Sequence, residues 1–588
     1  MKIENTPRAT EELVLTGIGV APGIAIGPAF VIDHNKLPVP EYSLTAAQVE
    51  KEVHRFHDAV GKTKRQLKQL QERTKTLPAN AGEEITLLLE AYGGMLSGSR
   101  LVRGVENLIR EERLNAEAAI QRQIDALSTA FAKMDDAYLA SRVADVREVG
   151  IRLIRKLLHQ NYNPFAAAPE GSLLIAEEIT PADTALMDPA RVGGFAAVLG
   201  GPEGHAAIMA RAMVLPAVLA VGGLISGIET GDAIIIDGAK GLVIVRPTPE
   251  TLQTYRQEAA RRAREQKRLS GLVDLPAATT DGIKIALHAN LELPREAEGA
   301  LRAGAEGIGL LRSEFLFMNR PDLPSEEEQF EILHDIIKTM GHRQLTVRTL
   351  DVGGEKIASA LGVYDVSANP ALGLRAIRLG LKEPKLLDAQ LAAALRAAAY
   401  GPVRILIPMV SSISQMIAVR ERLVAIEKKL RRRGVRLAHA LPPLGAMIEI
   451  PAAALDADAL SKVCDFFSIG SNDLTQYTLA IDRGDERVAD LYDPFHPAVL
   501  RLIQFVIAAA WRANIPVSLC GEMAGDPRAT ALLLGLGLRD FSMAPSRLLH
   551  VKQEIRNLSL PQARAFAESI MAKNDEASVH ALLDQGVV

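Results

Sequence analysis

The stretch Phe466-Phe-Ser-Ile469, followed by Gly470-Ser-Asn472-Asp473-Leu-Thr-Gln-Tyr477, decides the fold. A short strand-like run ends in a glycine, and two polar residues stand just past its end. The same grammar recurs through the second half of the chain. β-like runs at Ile283 to His288, Gly307 to Leu311, Leu345 to Thr349, Arg404 to Ile407, Gly445 to Ile450, Phe466 to Ile469, Pro516 to Cys520 and Asp540 to Met543 alternate with helix-like runs. That alternation predicts a (β/α)8 barrel, in which functional residues gather at the C-terminal ends of the strands.

Those ends carry chemistry. Arg312 follows the second run and Arg348 the third, and each can grip a phosphate or carboxylate through its planar fork. Glu449 ends the fifth run, Asn472 and Asp473 follow the sixth with Arg483 shortly beyond, and Cys520 ends the seventh. Two carboxylates and an amide suit Mg²⁺, which prefers oxygen ligands. The arginines beside them suit a small, multiply charged, phosphorylated acid. One arginine or aspartate at a strand end is more often a structural ion pair; convergence at several ends makes a site. Cys520, a thiol that stays mostly protonated near neutrality, can give a proton to carbon. Cys464, inside an apolar run, is assigned to packing.

The first half is organised around Gly200-Gly-Pro-Glu-Gly-His205-Ala-Ala-Ile-Met-Ala-Arg211. His205 follows a glycine-rich run and opens an apolar helix, where free backbone N–H groups and the helix dipole favour an anion. A neutral imidazole there is a competent nucleophile, so His205 is the candidate phosphoryl carrier. Strand-like runs from Leu13 to Ile32 and again from Leu173 onward enclose a helical stretch. Helices are expected at Thr45 to Arg73, Glu83 to Leu96, Val102 to Arg113, Ala116 to Met134 and Asp136 to Leu158, forming an antiparallel bundle. A bundle beside a carrier histidine is well placed to dock the next carrier. Glu250 to Leu269 interleaves arginines with Glu258 and Glu265, which reads as a solvated connector helix rather than a nucleic-acid face.

The expected organisation is α/β and multidomain. Residues 1–44 and 161–249 form a swivelling phosphohistidine α/β domain, 45–160 the inserted helical bundle, 250–275 the linker helix and 276–588 the barrel. With 23% charged residues and a net charge of −4, the composition argues against nucleic acid as a partner. Two cysteines, a polar N-terminus and no long apolar run predict a cytoplasmic protein with no membrane span.

Five motifs carry a family resemblance: Arg312-Ser-Glu-Phe-Leu-Phe-Met318, Arg348-Thr-Leu-Asp-Val-Gly-Gly354, Asn369-Pro-Ala-Leu-Gly373, Phe467 to Tyr477, and Leu519-Cys-Gly-Glu522. Together they resemble the Enzyme I family of phosphoenolpyruvate-dependent sugar phosphotransferase systems, over nearly the whole chain. The resemblance implies transfer from phosphoenolpyruvate to His205 and then to a histidine-containing phosphocarrier protein docked on the bundle, with release of pyruvate. It implies that Glu449 and Asp473 bind Mg²⁺, that Arg312, Arg348, Asn472, Asp473 and Arg483 line the phosphoenolpyruvate site, and that Cys520 protonates the enolate. Lys356 and Arg375 match positions near the substrate, and Thr180 matches a threonine that hydrogen-bonds the active histidine. It further implies a homodimer through the barrel, and because His205 and the substrate residues fall in different expected domains, the linker helix is expected to work as a hinge.

The chain departs from the family pattern in three places. Glu203-Gly204 stands where Thr-Ser usually precedes the histidine, Tyr92 where the carrier-binding face commonly has histidine, and Ala371 and Leu374 replace bulkier residues. The alternatives left open are a nitrogen-related or purely regulatory branch, and a non-catalytic sensor of phosphoenolpyruvate.

Overall fold

Glycine-punctuated apolar runs at the start of the chain do form strands, and the helical stretch after them is an insertion between two neighbouring strands of one sheet. The computed structural model describes residues 11–587 apart from 33–38, 75–88, 98, 133–136, 160–167, 181–182, 184–186, 188–190, 202–203, 214, 318–321, 353–368, 484 and 486, with backbone alone at 73–74, 130–132, 137–144, 205, 208 and 212. These residues divide into two units, Met1–Arg264 and Glu265–Val588.

In the first unit, strands β1 (Leu13–Thr16), β2 (Ile18–Ala21), β3 (Ile24–Ile32), β4 (Ser172–Ala176), β5 (Val192–Ala197), β6 (Ala217–Leu219), β7 (Ala233–Asp237) and β8 (Leu242–Val245) form one sheet. Their order is β1-β8-β7-β3-β4-β5-β6-β2. Strands β3 to β6 run parallel, and β4 is buried along its whole length, as a central parallel strand covered on both faces should be. Helix His205–Met213 follows β5, with Gly204 N–H bonded to the Gly201 carbonyl at 3.0 Å in the turn that leads into it.

Between β3 and β4 lie helices Val49–Thr74, Arg100–Glu111, Ala116–Ala132 and Ala137–Leu157, together with helical residues 89–95. Phe56, Val105, Ile109, Ile120, Val149 and Leu153 make their common core. The expected helix from Glu83 to Leu96 falls in part outside the described residues. Tyr92 does not stand on a docking face. It is 1% exposed, and its hydroxyl donates to Asp145 Oδ1 at 3.2 Å, because it faces the bundle core from the helix at 89–95.

The connector is a helix, Pro249–Ser270, and the division between the two units falls within it. The second unit is a closed barrel of parallel strands: β9 (Ala286–Leu291), β10 (Gly307–Leu311), β11 (Gln344–Arg348), β12 (Val403–Ile407), β13 (Leu444–Ile448), β14 (Phe466–Ile469), β15 (Val517–Leu519) and β16 (Asp540–Met543), with β16 closing on β9. Seven strands fall where the alternation predicts them. The first is shifted: it begins at Ala286 rather than Ile283, because the preceding residues pair with themselves. Thr279 N–H bonds the Ile283 carbonyl at 3.0 Å and Ile285 N–H the Ala277 carbonyl at 2.8 Å, which spends this segment's hydrogen bonds before the barrel begins.

Outer helices Pro527–Gly535 and Leu560–Met571 approach so closely that a Cβ on Gly535 would lie 2.1 Å from the Ala563 carbonyl oxygen. Gly535→Ala must push them apart and should cost the barrel unit about 1–3 kcal/mol in denaturant unfolding; an unchanged midpoint would show that the contact yields freely.

Candidate functional site

The barrel brings most of the expected residues to one end. Arg348 is the last residue of β11; its Nη2 lies 2.7 Å from Glu314 Oε1 and its Nη1 3.1 Å from Asp351 Oδ2. Asp351 Oδ1 also accepts from Arg375 Nη2 at 2.9 Å. The result is a buried chain of alternating charge, Glu314, Arg348, Asp351, Arg375. Burial opposes the charge on Arg348, but Glu314, Asp351 and Glu449 hold its pKa above the ordinary arginine value.

Glu449 follows β13 and is fully buried. Its Oε1 accepts from Met409 N–H at 2.5 Å, whereas Oε2 has no hydrogen-bond partner among the described residues. Met409 adopts φ +56°, a left-handed conformation rarely taken by a side chain of its size, at the position that donates to Glu449. Burial, then the charges of Asp351 and Asp473, raise the Glu449 carboxyl well above the usual carboxylate range, with Arg348 opposing.

Ligand atoms of Asp351, Glu449 and Asp473 all lie within 4.8 Å of one another. A Cβ on Gly470 would stand 3.0 Å from Glu449 Oε2, so the glycine keeps space beside the unpartnered oxygen. Three converging carboxylates, one with a buried idle oxygen, fit a hard divalent cation.

Asn472 and Asp473 sit in the first turn of helix Ser471–Leu479, directly after β14. Asn472 Nδ2 donates to Glu522 Oε1 at 3.2 Å and its Oδ1 accepts from Glu522 N–H at 2.9 Å, tying this helix to the turn after β15. Arg483 Nη2 stands 3.9 Å from Asp473 Oδ1, and Arg312, just past β10, pairs with Glu292. Cys520 immediately follows β15; its Sγ accepts from Ser468 Oγ at 3.2 Å. Burial pushes its thiol up to about 11, against the hydrogen bond from Ser468 and the charge of Arg348, so it keeps its proton at neutral pH. Cys464 is likewise buried, its thiol pushed up to about 12 by burial, as a packing residue should be.

His205 and Thr180 belong to the first unit. The backbone of His205 opens helix His205–Met213; its side chain, Glu203 and Lys356 lie outside the described residues. Thr180 Oγ1 donates to Asp183 Oδ2 at 2.7 Å and accepts from Asp183 N–H at 3.1 Å. With its hydrogen committed, that hydroxyl can serve a further partner only as an acceptor.

Asp351 and Glu314 were not singled out from the sequence. Both lie inside quoted motifs, Asp351 three residues after Arg348 and Glu314 two after Arg312. A carboxylate that close to a strand-end arginine was the available signal.

Family models match three segments: "PEP-utilising enzyme, N-terminal" over residues 16–142, "PEP-utilising enzyme, mobile domain" over 168–241 and "PEP-utilising enzyme, PEP-binding domain" over 266–560. A phosphoenolpyruvate-protein phosphotransferase of Cupriavidus necator is 42% identical over 582 residues, covering 97% of this chain and 99% of that protein. The chain belongs to the phosphoenolpyruvate-protein phosphotransferase family. A family member from Haemophilus influenzae is 37% identical over 572 residues, with coverage of 97% and 99%. A solution structure described as Enzyme I is 34% identical and covers 42% of this chain and 99% of its own, at a TM-score of 0.37.

The raised Glu449 carboxyl sets a prediction with a definite sign. A carboxyl whose folded pKa is raised favours the native state while protonated, and that contribution is lost as pH rises through the folded pKa. Glu449→Gln should therefore raise the unfolding midpoint at neutral pH in the absence of divalent cation. It should also abolish any stabilisation by an added divalent cation such as Mg²⁺, which mass action sets at about 2.7 kcal/mol for a hundredfold excess over Kd. A variant that still responds to Mg²⁺ like the native chain would remove Glu449 from the cation site.

Proposed function

We propose that the chain takes the phosphoryl group of phosphoenolpyruvate onto its own His205, passes it to a histidine-containing phosphocarrier protein and releases pyruvate, as the first step of a sugar phosphotransferase system. The observation that carries this reading is the strand-end cluster of Arg348, Asp351, Arg375 and Glu449 beside a protonated Cys520. Arginines for a phosphorylated acid, carboxylates for a cation and a proton donor for carbon stand together there.

In this reading Arg312, Arg348, Asn472, Arg483, Lys356 and Arg375 hold phosphoenolpyruvate, and Glu449 and Asp473, with Asp351 beside them, hold Mg²⁺. The ion, when bound, neutralises phosphoryl oxygens and offsets the carboxylates' mutual repulsion. Arg348 divides its fork between Glu314 and Asp351, and Arg375 reaches Asp351 through one nitrogen, so binding the substrate means exchanging some of these carboxylate contacts for phosphoryl or carboxyl oxygens. Such preorganised positive charge is what phosphoryl transfer mainly requires. A ring nitrogen of His205 attacks phosphorus, the bond from phosphorus to the enol oxygen breaks, and the enolate carbon takes the proton of Cys520. The thiolate regains a proton from solvent. Thr180, able only to accept, would fix the ring by taking a hydrogen bond from its other nitrogen.

His205 and the barrel site belong to different units, so the helix Pro249–Ser270 has to permit their approach and separation in each cycle. The inserted bundle is the proposed carrier-docking domain. Exposed Leu455, Phe505 and Trp511 on the barrel support a homodimer through that unit. No helix among the described residues is long and apolar enough to cross a membrane, and a cytoplasmic location agrees with two free, buried cysteines.

Pyruvate release in the presence of a histidine-containing phosphocarrier protein tests the assignment. His205→Ala should release none in steady state. Cys520→Ala should slow release about 10²–10⁴-fold, the usual contribution of a positioned general acid, while leaving phosphoenolpyruvate affinity nearly unchanged. Full-rate turnover by either variant would contradict the role given to that residue.

A further inference from the structure

At the end of the barrel where the strands begin, away from Cys520 and Glu449, the structure contains a recess of about 670 Å³, within the range of small-molecule sites. Four cationic side chains line it. Lys284 precedes β9, Arg343 precedes β11, Arg539 precedes β16, and Lys552 reaches it from helix Leu548–Asn557. Two carboxylates, Asp274 and Glu306, also line it, which leaves an excess of two positive charges.

Among the described residues, none of the four cations is bonded to a carboxylate. Arg343 Nη1 donates to the Met340 carbonyl at 3.3 Å, and Arg539 Nη1 donates to those of Leu534 and Leu538 at 2.9 and 2.6 Å. Lys552 Nζ donates to the carbonyls of Leu272, Val273 and Leu275 at 3.1, 2.9 and 2.9 Å. The flanks of the same barrel behave differently: Arg396 pairs with Glu326 at 2.9 Å, Arg422 with Asp388 at 2.8 Å and Arg512 with Asp458 at 2.8 Å. Arg539 is pinned through one nitrogen, leaving Nε and Nη2 without a protein partner among the described residues. Burial and the like charge of Arg564 hold its pKa below the ordinary arginine value.

We propose that this recess binds a small anion carrying two or more acidic groups, a phosphorylated or polycarboxylic compound. Three segments distant in sequence bring Lys284, Arg343 and Arg539, none bonded to a carboxylate among the described residues, to one concavity, and an anion there would balance the positive charge that Asp274 and Glu306 leave over. The strand-start end of such barrels ordinarily serves stability. Lys552 fits that role, since its three donors are all committed to backbone; Lys284, Arg343 and Arg539 do not. Lys552 also joins the recess to residues 272–275, the segment that follows helix Pro249–Ser270, so an occupant would sit at the root of the connector.

Calorimetric titration of the full-length chain with pyrophosphate and, separately, citrate, without divalent cation and at near-physiological salt, tests this. We expect one saturable event per chain for at least one probe, retained in Arg312→Gln, whose change lies at the other end of the barrel. The event should weaken about tenfold or more in Arg343→Gln/Arg539→Gln and in Lys284→Glu. Lys284 is exposed, so its reversal should leave folding intact. Binding of pyrophosphate alone would assign a phosphorylated ligand, and of citrate alone a polycarboxylate. No saturable binding, binding lost in Arg312→Gln, or binding unchanged in Lys284→Glu would overturn the proposal.

Discussion

The site depends on one buried electrostatic arrangement, the carboxylate of Glu449 held near Asp351 and Asp473 with Arg348 as their neighbour. Charges are expensive to bury unless paired, and here Glu449 faces two other acids while the arginines at the site pair with Asp351, Glu314 and Asp473 instead. This shows as an idle oxygen on Glu449 and a carboxyl that resists ionising. A site in that state is poised for a cation and for an anionic substrate that takes over the arginines.

The barrel supplies the rigidity that such a balance needs. Arg348 closes one strand, and Glu449 and Cys520 each follow directly on another, so their positions are fixed by the parallel hydrogen-bond ladder rather than by loops. Local strain sharpens the arrangement. Met409 at φ +56° aims its N–H at Glu449, and Gly470 leaves room beside the free oxygen. Ser468, within β14, holds the Cys520 sulfur from below while burial keeps the thiol protonated.

Much of this was legible in the sequence because a parallel barrel repeats one pattern. Each buried strand is a short apolar run, and a polar or ionisable residue stands where the run stops, which put Arg312, Arg348, Glu449, Asn472, Asp473 and Cys520 at strand ends. The first strand begins later than expected because Ile283 and Ile285 look like strand residues, whereas their backbone groups bond to Thr279 and Ala277 around an isolated Ala278–Lys284 bridge outside the barrel. Asp351 stands three residues past its strand end, beyond the position at which the apolar run stops, yet an arginine buried at a strand end needs a counter-ion and Asp351 supplies it. Tyr92 illustrates another limit: the resemblance puts its position on the carrier-binding face, but a tyrosine there turns its ring into the bundle core and bonds Asp145.

The most direct measurement is the intact mass of the chain after incubation with phosphoenolpyruvate and Mg²⁺, followed by mapping of the modified peptide. The account predicts a gain of a single, acid-labile phosphoryl group on the peptide that contains His205, with one pyruvate formed for each group added. No gain in mass, or a phosphoryl group on any other residue, would contradict it.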